Sequence, residues 1–122
     1  MDVTTTLTRE ESPEPVGTDA LTCDLRYETG RVIAAISGEL DVASAAGLER
    51  RLLALLMLPL SEITLDLAGL SFMDSTGLSV LVRVSHAAAD LRTAMTVVHP
   101  NDRVAWMLSL TRIGDVVSDS AS

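Results

Sequence analysis

The pentapeptide Met73-Asp74-Ser75-Thr76-Gly77 brings a carboxylate, two hydroxyls and a glycine to the point where an apolar strand pattern gives way to a helical one. An Asp or Ser placed there can cap the helix by accepting from the free amides of its first turn, and a glycine permits a tight turn. The same geometry suits a second role. A hydroxyl at an exposed helix N-terminus is a good place to add a phosphate, because the dipole and the open amides favour an anion. Asp74 next door opposes that phosphate by like-charge repulsion, so modification would change the sign and size of the surface.

Hydrolytic chemistry has the residue types but not the spacing. Ser75 and His86 fall eleven residues apart on one helix, about 16 Å at the usual rise and beyond hydrogen-bond reach. His99, at the end of another strand, is the histidine that could come closer. The G-x-S-x-G nucleophile elbow is absent, since residues 73–77 read M-D-S-T-G. A Walker A loop requires Lys, and all nine basic residues are Arg. No catalytic residues are therefore assigned. One Cys and two His rule out a disulfide framework and leave little for a metal site.

These side chains need a scaffold. At 122 residues the chain fits one domain, and 48% apolar content with one Phe, one Tyr and one Trp makes its core aliphatic. Residues 1–18 are rich in Thr, Glu and Pro and are expected to be a flexible tail, with residues 19–122 forming the domain. Leu21, Cys23, Leu25 and Tyr27 alternate with polar residues as in a half-buried strand, Thr29-Gly30 turns the chain, and residues 31–37 return as its hairpin partner. Asp41 is the expected N-cap of a helix that buries Ala45, Leu48, Leu52, Leu55 and Leu56 and stops at Pro59. Ile63, Leu65 and Leu67 form a third strand, completing a βαβ unit, and residues 69–77 read as a loop.

Residues 78–91 form the next helix, with Leu78, Leu81, Val82 and Ala89 expected in the core. Ser79, Arg83, His86 and Asp90 make one polar stripe on it, which reaches back to Ser75. Met95, Val97 and Val98 give a fourth strand. A last helix buries Val104, Met107, Leu108 and Thr111 and is capped by Gly114, Val116-Val117 could add an edge strand, and Trp106 sits just off the core face. The order is β-β-α-β-α-β-α, an α/β fold with a mixed sheet of four to five strands packed with helices.

Net charge is −8, with 17 acidic residues and no basic run. Such a chain is a poor match for nucleic acid or an anionic membrane. The longest strongly apolar run, residues 52–60, is far short of a bilayer span. No signal-peptide pattern opens the sequence, which predicts a cytoplasmic protein.

Three blocks resemble the STAS domain of bacterial anti-sigma factor antagonists: Ser37-Gly38-Glu39-Leu40-Asp41 before a helix, ITLDLAGLSFMDSTGLSVLV over residues 63–82, and the strand–turn–helix of residues 93–117. The resemblance covers about residues 20–118, and the second block is long enough to be specific. It implies a binding protein that captures an anti-sigma factor of the GHKL-type kinase fold and frees a sigma factor. It also implies Ser75 as the phosphoacceptor, with Thr76 as the alternate, and a PP2C-type phosphatase that reverses the modification. The implied partner surface is Asp74, Ser75, Thr76, Gly77, Ser79 and Arg83, with Glu39 and Asp41 of the neighbouring loop. No cofactor is implied. Thr76, His99 and Arg112 stand where many relatives carry a second Ser, a small polar residue and Gly. The family also implies an alternative, a STAS scaffold subunit of a lipid-transport or stress-signalling complex.

Overall fold

The computed structural model describes residues 14–16, 18–111 and 113. The elements run β1 (Glu14–Val16), β2 (Thr18–Glu28), β3 (Arg31–Leu40), α1 (Ala45–Leu55), β4 (Glu62–Met73), α2 (Ser75–Asp90), β5 (Ala94–Val98) and α3 (Asp102–Ser109). They build one five-stranded sheet in the order β1-β2-β3-β4-β5. The hairpin closes at Gly30, whose φ of 73° is open to glycine at little cost. β2 and β3 pair antiparallel from Leu21↔Gly38 to Glu28↔Arg31. β3, β4 and β5 run parallel. Both crossovers step the same way across the sheet, so the right-handed rule puts α1 and α2 on one face.

That face is the core. Val32, Ala34, Ile36, Ile63, Leu65, Leu67, Met95 and Val97 are buried in alternate strand positions and join Leu48, Leu52, Leu81, Val84, Val104 and Leu108 from the helices. The expected element order β-β-α-β-α-β-α, the hairpin and the α1 face all hold from β2 onward, and Cys23 lies in the core as a buried strand residue.

Four details differ from the sequence reading. Residues 69–73 are not loop but the last part of β4, because β3 continues beside them as far as Leu40↔Met73. The buried face of α2 is Gly77, Val80, Leu81, Val84 and Ala88, whereas Leu78 and Val82 are half-buried and Ala89 is exposed. On α3 Met107 and Thr111 are half-buried, and Trp106 is exposed. A short β1 pairs with β2 inside the stretch expected as a tail. Thr18 of that stretch opens β2, and its other residues, the Gly114 cap, the Val116-Val117 strand and Arg112 lie outside the described residues.

Candidate functional site

The site begins where β3 and β4 end together. Parallel pairing carries them to Glu39↔Phe72 and Leu40↔Met73 after a register shift at Gly38, whose φ is 104°. The Ser71 hydroxyl donates to the Gly38 carbonyl (3.0 Å) and fastens this irregularity. Beyond it, Leu40 and Met73 turn inward while Glu39 and Phe72 are exposed. β4 then runs through Asp74 straight into α2, and β3 reaches α1 through a turn over residues 41–44, so two strand-to-helix turns lie side by side at one end of the sheet.

In the second turn Asp74 is the N-cap of α2, with extended backbone, and its Oδ1 accepts from the Gly77 amide at 3.0 Å. Its own amide donates to the Leu40 carbonyl (3.2 Å), tying the two turns together. Ser75 and Thr76 follow as exposed first-turn residues, and the Ser75 hydroxyl has no hydrogen-bond partner among the described residues. Gly77 is buried against β3. A Cβ there would lie 2.6 Å from Leu40 Cγ and 2.8 Å from the Leu40 carbonyl oxygen. Close packing of helix on strand, and not a left-handed backbone, therefore demands the glycine. One turn along, the Ser79 hydroxyl donates to the Ser75 carbonyl (3.0 Å).

In the first turn Asp41 Oδ1 accepts from the amides of Ala43 (3.0 Å) and Ser44 (3.3 Å). Asp41 thus caps a turn that precedes α1, while Ser44 occupies the helix's own N-cap position. Ser44 is fully buried, and its hydroxyl donates to the Glu39 carbonyl (3.0 Å) and accepts from the Asp41 amide (3.1 Å).

Arg83 lies two turns down α2 and grips Glu49 of α1 with a bidentate pair, both contacts 2.8 Å. That hydrogen bonding holds the Glu49 carboxyl below its ordinary range. Arg83 is therefore exposed but engaged, and it braces the helix pair behind the Asp74–Gly77 turn.

Of the residues singled out in the sequence, Glu39, Asp41, Asp74, Ser75, Thr76 and Gly77 share this end of the sheet, and Ser79 and Arg83 continue from it along the exposed stripe of α2. His99 is not brought to Ser75. It sits past β5 with φ at 60°, and its Nδ1 lies 3.2 Å from Asp66 Oδ1. Cys23 is no nucleophile at neutral pH, since burial pushes its thiol up to about 11. Among the described residues no three His, Cys, Asp or Glu gather as metal ligands, and no helix is long and apolar enough to cross a membrane.

Two residues at this end escape a sequence reading. Val42, 74% exposed, lies two residues past the end of β3, and Phe72, 40% exposed, lies next to the last residue of β4. Their apolar character alone points to a core, and only the register reveals them on the surface.

The STAS domain family model matches residues 24–121. An anti-sigma factor antagonist from Mycobacterium paratuberculosis shares the fold at a TM-score of 0.73 and 22% identity, over 83% of this chain and 87% of that one. The anti-sigma factor antagonist SpoIIAA in its unphosphorylated form matches at 0.69 and 18%, over 79% and 85%. The Bacillus cell-fate determinant SpoIIAA in its phosphorylated form matches at 0.66 and 16%, over 79% and 88%. No curated protein matches the sequence.

Proposed function

The chain belongs to the STAS-domain family, and on that footing we propose that it is an anti-sigma factor antagonist switched off by phosphorylation of Ser75. In this reading the unmodified domain binds an anti-sigma factor of the GHKL-type kinase fold and so frees a sigma factor. The anti-sigma factor transfers a phosphoryl group from ATP to the Ser75 hydroxyl, and a PP2C-type phosphatase removes it. The observation that carries the reading is the exposed Ser75 hydroxyl, without a hydrogen-bond partner among the described residues, at the N-terminus of α2 directly after the capping Asp74.

The phosphate acts locally. It adds between one and a half and two negative charges, roughly, beside Asp74. The α2 N-terminus offsets this repulsion by about 0.3–1 kcal/mol. Melting α2 would expose Val80, Leu81 and Val84, which are fully buried, at about 1.5–3 kcal/mol for each large side chain. One repulsive contact near solvent is too small for that, so charge and bulk at the interface do the switching. Both SpoIIAA forms share this chain's fold, in keeping with a modification that leaves the domain intact.

The test starts with the unmodified protein as bait in lysate of the source cells, the recovered proteins being identified by mass spectrometry. A recovered kinase-fold regulator is then purified and incubated with this chain and ATP, and the modified residue is mapped. The expected product is a single phosphate on Ser75. Modification of Thr76 alone, with Ser75 bare, overturns the assignment.

A further inference from the structure

We propose that Val42 and Phe72 are the apolar anchors of the partner interface, and that phosphorylation of Ser75 works by spoiling the dry contact these two side chains make. The inference rests on the reading of Ser75 as a switch and says what kind of partner surface that switch controls.

Position comes first. Phe72 is three residues from Ser75, so their Cα atoms lie within about 11 Å of each other. Val42 is two residues beyond Leu40, whose carbonyl holds the Asp74 amide. A standard interface covers about 800 Å² on each partner, a disc of roughly 16 Å radius. A partner centred on Ser75 reaches both.

Chemistry comes second. Large exposed apolar side chains at the centre of a patch are what a partner buries most profitably. Around Val42 and Phe72 the ionisable residues of the two turns are Glu39, Asp41 and Asp74, all acidic. Asp41 and Asp74 each spend an oxygen on backbone amides, whereas Glu39 is exposed beside Phe72. The nearest cation along α2, Arg83, is held by Glu49. The complementary surface is therefore an apolar recess rimmed by Arg or Lys. This matches one occupant, an anti-sigma factor, over a second copy of this acidic chain, whose rim would meet its own charge.

The anchors also explain how one phosphate controls affinity. Apolar contact at Val42 and Phe72, within the reach of one partner centred on Ser75, excludes water, and a charge that loses water without gaining a partner is costly. Remove an anchor and water returns to the Ser75 turn, so the same charge costs less. Anchor and charge are thus coupled.

The experiment uses the full chain and the purified anti-sigma factor recovered by the wild-type bait. Val42→Ala and Phe72→Ala should each weaken binding about tenfold or more, as truncation of an interface anchor does. Trp106→Ala, equally an exposed apolar truncation but on α3, should change it less than twofold. Ser75→Glu should weaken wild-type binding at least tenfold more than it weakens binding of Phe72→Ala. Anchor variants that bind within twofold of wild type overturn the inference and leave the proposed function standing. So does an equal Ser75→Glu effect in both backgrounds. Recovery of no anti-sigma factor by the wild-type bait overturns both. A dimer of the purified chain in sedimentation analysis, dissociated by Phe72→Ala, assigns the anchors to a second copy and overturns the inference alone.

Discussion

The two strand-to-helix turns at one end of the sheet are built from the same parts and use them oppositely. Each has an aspartate whose Oδ1 caps backbone amides, Asp41 in one and Asp74 in the other, and each has a serine within three residues of it. In the first turn Ser44 is fully buried and its hydroxyl is bonded both ways, to the Glu39 carbonyl and the Asp41 amide. In the second, Ser75 is exposed and the job of filling the interior falls to Gly77. A capping aspartate therefore says nothing about function. On the proposed reading, what separates the structural turn from the modifiable one is whether the neighbouring hydroxyl is consumed by the fold.

If that contrast is right, the variants should divide by turn. The largest effect on stability is expected from Gly77→Ala. Its methyl would press on the Leu40 carbonyl, which cannot move without disturbing β3, and such overpacking costs about 1–3 kcal/mol. Urea unfolding should show a clearly lower midpoint with unchanged slope; an unchanged midpoint would mean that α2 sits less tightly on β3 than described.

Ser44→Ala comes next. It leaves the part-buried Asp41 amide and Glu39 carbonyl without the hydroxyl that the fully buried Ser44 supplies, for about 1–2 kcal/mol, seen in the same denaturation. Ser75→Ala is the matched substitution in the other turn, and it should shift stability by less than about 0.5 kcal/mol. Equal losses for the two serines would erase the distinction between the turns.

The smallest effect is that of the brace behind them. Because hydrogen bonding to Arg83 lowers the Glu49 carboxyl, its contribution is present above the ordinary value of 4.5 and fades as pH falls below it. The pair is partly solvent-exposed, so its worth is small. Glu49→Gln should lower the unfolding midpoint slightly at neutral pH and converge with the wild type as pH falls, so that the acid limb of a pH series is flatter. A large drop at neutral pH would make the pair a structural requirement.

Much of this was legible in the sequence, for identifiable reasons. The alternation in residues 21–27, the αL glycine at 30 and the helical spacing of Leu48, Leu52 and Leu55 each follow from strong local rules, and the structure keeps them. Residues 69–73 did not read as strand because the register shifts near Gly38 break the period-2 pattern. Pairing with β3 supplies what the local sequence lacks. Ala89 was placed inside because alanine carries no polarity signal, while Gly77 and Ala88 form the true seam of α2. At the candidate site, the Asp74–Gly77 turn stood out through its residue types. The burial of Ser44 and the exposure of Val42 and Phe72 depend on how two turns meet across the sheet, which no single segment encodes.

The central claim is that a charge on Ser75 decides whether the partner binds while the domain stays folded. It is tested most directly by measuring the affinity of the purified anti-sigma factor for the unmodified chain and for the same chain phosphorylated stoichiometrically on Ser75, with hydrogen exchange recorded on both forms. The account predicts a loss of affinity of about a hundredfold or more, from an uncompensated charge buried at the interface, with exchange altered only around residues 74–79. Equal affinity, or loss of protection throughout α2, would contradict it.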